Sequence, residues 1–372
     1  MSHRSDPCHL TCGGCGASVE ARVAALHCPS CGGLYDVTYD VAPDGRRPRT
    51  PLATSDRVML GEGHTPIVSL ARLARDLRLG HLFAKLEYFA PTCSFKDRGS
   101  AVLVSLARAQ GLQGFVEDSS GNAGASMSAY AAAAGLKAHV FSPSSAGQGK
   151  KDQIRMFGAE LHEVEGPRQA STEAAAGFAR AQGWLWLSHN VSPFFTEGMK
   201  AVAYEVAASL TEVDHIVFPV GNGSLLLGVH LGLCELRDAG RLSRMPKLHA
   251  VQAEHVSPIV AAIEGRPWDA LAVRPTLASG IAVSVPPRGA QVVGAVRATH
   301  GHGVAVDEAS IVAWQRRLAG EGIFAELTSA AAFAGVERLL RQAVIEPGDR
   351  VVVPVTGSGL KEPARLGGQV LP

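Results

Sequence analysis

From Lys85 onward, short β-branched runs alternate with longer, alanine-rich stretches of helical character. "GFVED" leads into "NAGASMSAYAAAAG", "KAHVFSP" into "GKKDQIRMFGAE", and "HIVFPV" into "GSLLLGVHLGLCELRDAG"; "LHAVQAE" and "RVVVPVTGSG" complete the series. The runs are apolar, so both faces of each strand must be covered. Helices follow the first three, so the strands run parallel. The pattern predicts an α/β fold of parallel sheets covered by helices. Ligands of such folds bind beyond the carboxyl ends of the strands.

Three turns at those ends are rich in glycine and hydroxyl groups: "SSGNAG" (Ser119 to Gly124), "VGNGSLLLG" (Val220 to Gly228) and "VTGSGLKE" (Val355 to Glu362). The second opens a helix, where backbone N–H groups and the helix N-terminus favour an anion. Neither a G-x-x-x-x-G-K-[ST] loop nor a G-x-G-x-x-G with an acidic ribose ligand is present, which argues against a nucleotide.

A lysine completes the set. In "PTCSFKDRGSAVLVSLARAQG" (Pro91 to Gly111), Lys96 precedes the first-turn residue Asp97, the apolar face Val102, Leu103 and Leu106, and the stop at Gly111. Lys96 therefore stands at a helix N-terminus, where its side chain projects into a cleft. Pyridoxal phosphate needs a lysine for its aldehyde, a backbone cradle for its phosphate and a polar partner for its ring nitrogen. Lys96, residues 221–225 and Thr356 would supply these in turn. A neutral hydroxyl at the ring nitrogen makes a weaker electron sink than a carboxylate does, suited to elimination and replacement more than to transamination.

Together with "GEGHTP" and "SPFFTEGMKAVAYEV", these motifs resemble the threonine synthase family. Its members are pyridoxal-phosphate enzymes of the tryptophan-synthase-β-like fold, type II. The resemblance runs from about residue 60 to 362 in the family's order. It implies a two-domain catalytic body over 64–372, with a smaller subdomain at about 97–190 inserted between two parts of the larger one. By the same resemblance, Lys96 is the catalytic lysine and Asn122 bonds the cofactor's 3′-oxygen. Gly221, Asn222, Gly223, Ser224 and Leu225 form the phosphate loop, and Thr356 meets the ring nitrogen. Ser119, Ser120, Gly121 and Ala123 would receive the substrate. The activity implied is a lyase reaction converting O-phosphohomoserine and water to threonine and phosphate.

Several residues depart from the family pattern. Ala123 stands where a hydroxyl is usual, Leu225 where asparagine is frequent, and Cys93 where glycine is usual. The segment usually read N-P-Y-R-x-E-G is "SPFFTEG", with Ser192 for the asparagine and Phe195 for the arginine. An arginine fork on a phosphate is a strong, charge-assisted contact. Its loss costs several kcal/mol, at roughly 1.5–3 kcal/mol per charged hydrogen bond, unless Lys150, Lys151 or Arg155 replaces it. The substitutions favour an alternative: β-elimination or β-replacement on a serine/threonine-type or other β-substituted amino acid.

Five of the seven cysteines lie in the first 31 residues. Cys12, Cys15, Cys28 and Cys31 form two C-x-x-C knuckles, the spacing of a structural Zn²⁺ ribbon with no open coordination position. A zinc-ribbon-like module is expected over 1–41 and a linker over 42–63, with Cys8 a spare ligand or a bystander. A net charge of +1 supplies no general field for nucleic acid or an anionic membrane. With no long apolar run and no signal-peptide core near the N-terminus, a cytoplasmic setting that keeps thiols reduced is expected. The family resemblance adds a homodimer. No histidine pair shows a trusted H-x-x-x-H spacing, so the histidines read as ordinary surface or core residues. Phe95 reads as core packing, Asp97 and Arg98 as helix-capping residues paired with surface charges, and Glu326 as the head of a helix that could line the cleft near the cofactor ring, capping being its commoner role.

Overall fold

The computed structural model describes residues 5–119, 121–144, 146–166 and 168–362, and the backbone of 365–366 and 369–370. The elements begin with β1 (Cys8–Cys12), β2 (Ser18–Glu20), β3 (Tyr35–Tyr39), β4 (Ile67–Ser69), α1 (Ala71–Asp76) and β5 (His81–Lys85). Next come α2 (Lys96–Ala109), β6 (Gly114–Glu117), α3 (Asn122–Ala134), β7 (Lys137–Pro143), α4 (Gln148–Met156) and β8 (Glu160–Val164). Then follow α5 (Arg168–Gln182), α6 (Pro193–Ser209), β9 (His215–Pro219), α7 (Ser224–Asp238), β10 (Lys247–Ala253) and α8 (Pro258–Ile263). Next are α9 (Gly289–Ala298), β11 (Gly303–Val306), α10 (Glu308–Ala319), α11 (Leu327–Arg341) and β12 (Arg350–Pro354), and the two-residue strands β13 (Arg365–Leu366) and β14 (Gln369–Val370) come last. Two compact units result, Met1–Gly63 with Ala90–Ala201 and His64–Phe89 with Val202–Pro372.

The first unit holds two sheets. At the front, β2, β1 and β3 pair antiparallel in that order, with Leu10, Cys12 and Tyr35 buried. The second sheet, β6–β7–β8, is parallel, and the polyalanine helix α3 follows β6. That helix stops at Gly135, which is left-handed at φ 70°. Helix α2 ends as its sequence implies, with Gly111 at φ 81° just past it. Two motif glycines let chain segments touch. A Cβ on Gly198 would come within 2.0 Å of the Arg98 carbonyl oxygen, and one on Gly99 within 2.7 Å of the Phe195 ring.

The second unit carries a six-stranded sheet in the order β11–β10–β9–β12–β5–β4. Strands β9 and β12 are buried along almost their whole length, as their apolar sequences require. Helix α11 covers the sheet with Phe333, Val336 and Leu339 in one core with Leu82, Val217, Val251 and Val353. The sheet is mixed: β4 runs antiparallel to β5 on its edge. Only residues 70–80 separate these two strands, fewer than the dozen or so that a parallel crossover needs. Among the described residues, no helix is long and apolar enough to cross a membrane.

Candidate active site

In the first unit, Lys96 is the first residue of α2 and half-buried. Its Nζ lies 4.7 Å from the centre of the Phe95 ring and 5.4 Å from that of Phe195. Phe195 is fully buried and meets the His189 ring edge-on at 5.4 Å. Phe195 therefore forms an aromatic wall beside the lysine. Phe95 also reaches the lysine, beyond the packing role expected of it. Asp97 is a buried hub rather than a surface cap. It accepts from the Thr92 N–H (2.7 Å), the Thr92 hydroxyl (2.6 Å) and the Ser126 hydroxyl (2.6 Å), tying the Lys96 turn to α3. Arg98 is likewise buried, 3 % exposed.

The turn after β6 places Ser119 and Gly121 beside Asn122, the first residue of α3. The Gly121 N–H donates to the Ser119 hydroxyl at 3.4 Å, and a Cβ on Gly121 would meet only open space. Gly124 has no such freedom, since its Cβ would lie 1.9 Å from the Ser119 carbonyl oxygen. Ala123 is buried. Ser120 lies outside the described residues. Just before this turn, Glu117 pairs with His189 Nδ1 at 2.6 Å, and Asp118 accepts from the Thr172 hydroxyl at 2.8 Å. This buried set was missed from sequence, because its members are far apart in the chain. Of the cations named as stand-ins for the missing arginine, Lys151 (2.7 Å) and Arg155 both pair with Glu163. Lys150 is buried on α4. The Ser192 hydroxyl is buried with no hydrogen-bond partner among the described residues.

In the second unit, Gly221 to Leu225 link β9 to α7. Gly223 is the N-cap of α7, left-handed at φ 84°, and offers no side chain to the helix's first N–H groups. A Cβ there would lie 2.2 Å from Val292 Cγ2, and one on Gly221 2.9 Å from the Gly280 carbonyl oxygen. Uncapped donors at a helix N-terminus, in a loop too tight for side chains, suit a phosphate. Leu225 is buried. Thr356 is 2 % exposed and donates its hydroxyl to Glu326 at 2.9 Å, with the Ser329 hydroxyl at 2.9 Å. Glu326 therefore departs from its expected capping role: it occupies the N-cap position of α11, but its side chain makes no cap bond. A hydroxyl whose proton goes to a carboxylate keeps only acceptor capacity for another partner.

At the front of the chain, the sulfurs of Cys12, Cys15, Cys28 and Cys31 all lie within 4.8 Å of one another, and all seven cysteines are free. Cys12 and Cys31 are 3.4 Å apart and Cys15 and Cys28 3.7 Å, near the edge of about 3.8 Å that a tetrahedron with 2.3 Å Zn–S bonds requires. The N–H groups of Gly14 and Gly33 point at Cys12 and Cys31 sulfur. Hydrogen bonding from the Ser30 N–H holds the Cys28 thiol down to about 6, while the Cys31 thiol, against the pull of the Gly33 N–H, is pushed up to about 12 by the crowding sulfurs of Cys12, Cys15 and Cys28. The set fits zinc. Cys8 stands outside it, its thiol pushed up to about 11 by burial.

Comparison with known proteins fits these features. A family described as "Pyridoxal-phosphate dependent enzyme" matches residues 58–357. The threonine synthase of Methanocaldococcus jannaschii is 31% identical over 94% of this chain and 92% of its own. That of Methanosarcina acetivorans is 32% identical over 95% and 92%. The chain belongs to the pyridoxal-phosphate dependent enzyme family. Within it, the chain is a threonine synthase-like, pyridoxal-phosphate-dependent lyase. Solved structures share the fold. An O-ureido-L-serine synthase with O-ureido-L-serine bound matches at TM-score 0.69 and 23% identity, over 82% of this chain and 91% of that one. Maize serine racemase matches at 0.68 and 20%, over 79% and 88%.

Proposed function

We propose that this lyase carries out β-elimination or β-replacement on an amino acid whose leaving group is not a phosphate dianion. The observation that carries the reading is Phe195, buried beside Lys96 where a phosphate-binding arginine would stand, with Lys151 and Arg155 already paired to Glu163. When bound, pyridoxal phosphate supplies the electron sink for the bonds broken at the substrate's Cα. The cofactor's phosphate would rest on the N–H groups of Gly221 to Leu225, its 3′-oxygen would meet Asn122, and Thr356 would turn its hydroxyl from Glu326 to donate to the ring nitrogen. Ser119, Ser120, Gly121 and Ala123 would take the substrate carboxylate and Cα. Lys96 would remove the Cα proton, and the aromatic wall of Phe95 and Phe195 would exclude water from that amine. The sequence relatives named threonine synthase favour the second reading, water addition to O-phosphohomoserine to give threonine and phosphate.

The deciding experiment assays purified, cofactor-loaded protein on O-phosphohomoserine and on a panel of β-substituted amino acids. The expected outcome is 2-oxo acid or replacement product from the panel, phosphate release at least ~100-fold slower in kcat/KM, and no turnover by Lys96→Ala. A hundredfold corresponds to the loss of about one charged contact, roughly 2.7 kcal/mol. Rapid phosphate release with threonine formed would establish the second reading instead. We read the cysteine cluster as a structural zinc site in a zinc-ribbon-like module, consistent with a reducing, cytoplasmic setting. One zinc per chain in the purified protein, lost in Cys12→Ser, is the expected result.

A further inference from the structure

We propose that His139, Glu160 and His162 form a second metal site, for a divalent ion of the zinc type, on the β7–β8 sheet. The parallel register pairs His139 with Glu160 and Phe141 with His162. Side chains two apart share a face, so both histidines and the carboxylate meet on one side of the sheet. Their ligand atoms converge. His139 Nδ1 lies 3.3 Å from His162 Nε2, and the Glu160 carboxylate faces both rings, with Oε2 3.4 Å from His139 Nδ1 and Oε1 3.3 Å from His162 Nε2. A tetrahedral ion with bonds of about 2.0–2.1 Å has edges of about 3.3–3.4 Å.

The alternative, a purely hydrogen-bonded trio, predicts shorter contacts, since charge-assisted bonds close to about 2.7–2.9 Å. The buried pairs of this chain do so: His189 meets Glu117 at 2.6 Å and His215 meets Asp349 at 2.8 Å. The trio keeps coordination-length separations between both rings and the carboxylate. Its rings are held by packing. His162 stacks on Phe141 at 4.4 Å and 10°, and His139 contacts Phe178 at 4.9 Å and Trp184 at 4.8 Å. Glu160, with its side chain 64% exposed, leaves an entry path and an open fourth position for water. Two imidazoles and one carboxylate select zinc, cobalt, nickel or copper over magnesium or calcium. His139 and Glu160 lie toward the amino ends of β7 and β8, whereas the Ser119 turn follows the carboxyl end of β6. The ion would clip edge strand β8 to β7 rather than take part in the lyase chemistry.

The test uses the full chain, its zinc content first measured by elemental analysis, then titrated with zinc chloride or magnesium chloride by calorimetry. One further equivalent of zinc and no magnesium should bind. His162→Ala should weaken that step at least ~100-fold, beyond the tenfold to hundredfold loss typical of an outer-shell partner, and Glu160→Gln about tenfold or more. The exposed Glu160 variant decides the matter should the histidine variant fail to fold. Absence of a further equivalent, or equal affinity in wild type and Glu160→Gln, overturns the proposal.

Discussion

Cys93 holds φ at 59°, in the left-handed region, which a residue bearing a Cβ enters at a cost of about 1–2 kcal/mol. The resembled family's glycine at this position thus has a backbone reason, unseen in the one-dimensional pattern. Glycine returns part of the gain through its looser unfolded chain. Cys93→Gly is expected to raise stability by roughly 0.5–1 kcal/mol, read as a higher urea midpoint at unchanged slope. A lower midpoint would show that the thiol's packing outweighs the strain. The same limit explains what was legible around Lys96. The lysine itself stood out because its turn and helix are contiguous in sequence. Asp97 was misread as a surface cap because Ser126, one of its partners, comes 29 residues later. Glu326 leaves cap and cleft readings both open in sequence until Thr356, 30 residues on, is brought to it by the sheet.

At the scale of elements, the apolar runs located β6, β7, β9, β10 and β12 and the helices that follow the first three, since burial on two faces leaves an unbroken apolar run, whereas the short strands β5, β8 and β11 were not read. The direction of β4 was not legible, because a three-residue strand carries no period and its sense is set by the short return to β5. The glycines of the loop from β9 to α7 were legible and suggested an anion cradle, but its tightness was not legible. Val292, which fixes that tightness, arrives from α9. Gly223→Ala would put a Cβ 2.2 Å from Val292 Cγ2 at a φ of 84°. The loop must then shift, and we expect pyridoxal-phosphate affinity to fall at least ~10-fold, about 1.4 kcal/mol, while α7 and the sheet persist. Cofactor titration followed by absorbance, beside a circular-dichroism melt of the cofactor-free protein, separates the two effects. Unchanged affinity would remove this loop from the cofactor site.

For the whole molecule, the sharpest prediction concerns acid. His215 and His249 face each other across β9 and β10 at 2.8 Å, and Asp349 accepts from His215 at 2.8 Å. Burial lowers the pKa of His215 despite Asp349, and burial together with neighbouring His215 and His302 lowers that of His249 well below 6.5. Lys247 pushes both the same way, and Asp214 opposes at His215. Both imidazoles are thus held neutral in the fold but bind protons near pH 6.5 once unfolded. The unfolded chain then carries the extra protons, so stability rises with pH. Their contribution is present above pH 6.5 and is lost as the pH falls below it, at up to about 1.4 kcal/mol per pH unit for each histidine until its folded pKa is reached. Asp6, Asp214 and Asp307, whose pKa values are also lowered in the fold, add a second loss only as the pH passes below about 4. Urea unfolding from pH 8 to 5 should therefore show a plateau followed by a decline beginning near 6.5, shallower by about one proton's slope in His249→Gln. Stability that stays flat down to pH 5 in the wild type would mean that the imidazoles charge within the fold, with Asp349 offsetting their burial.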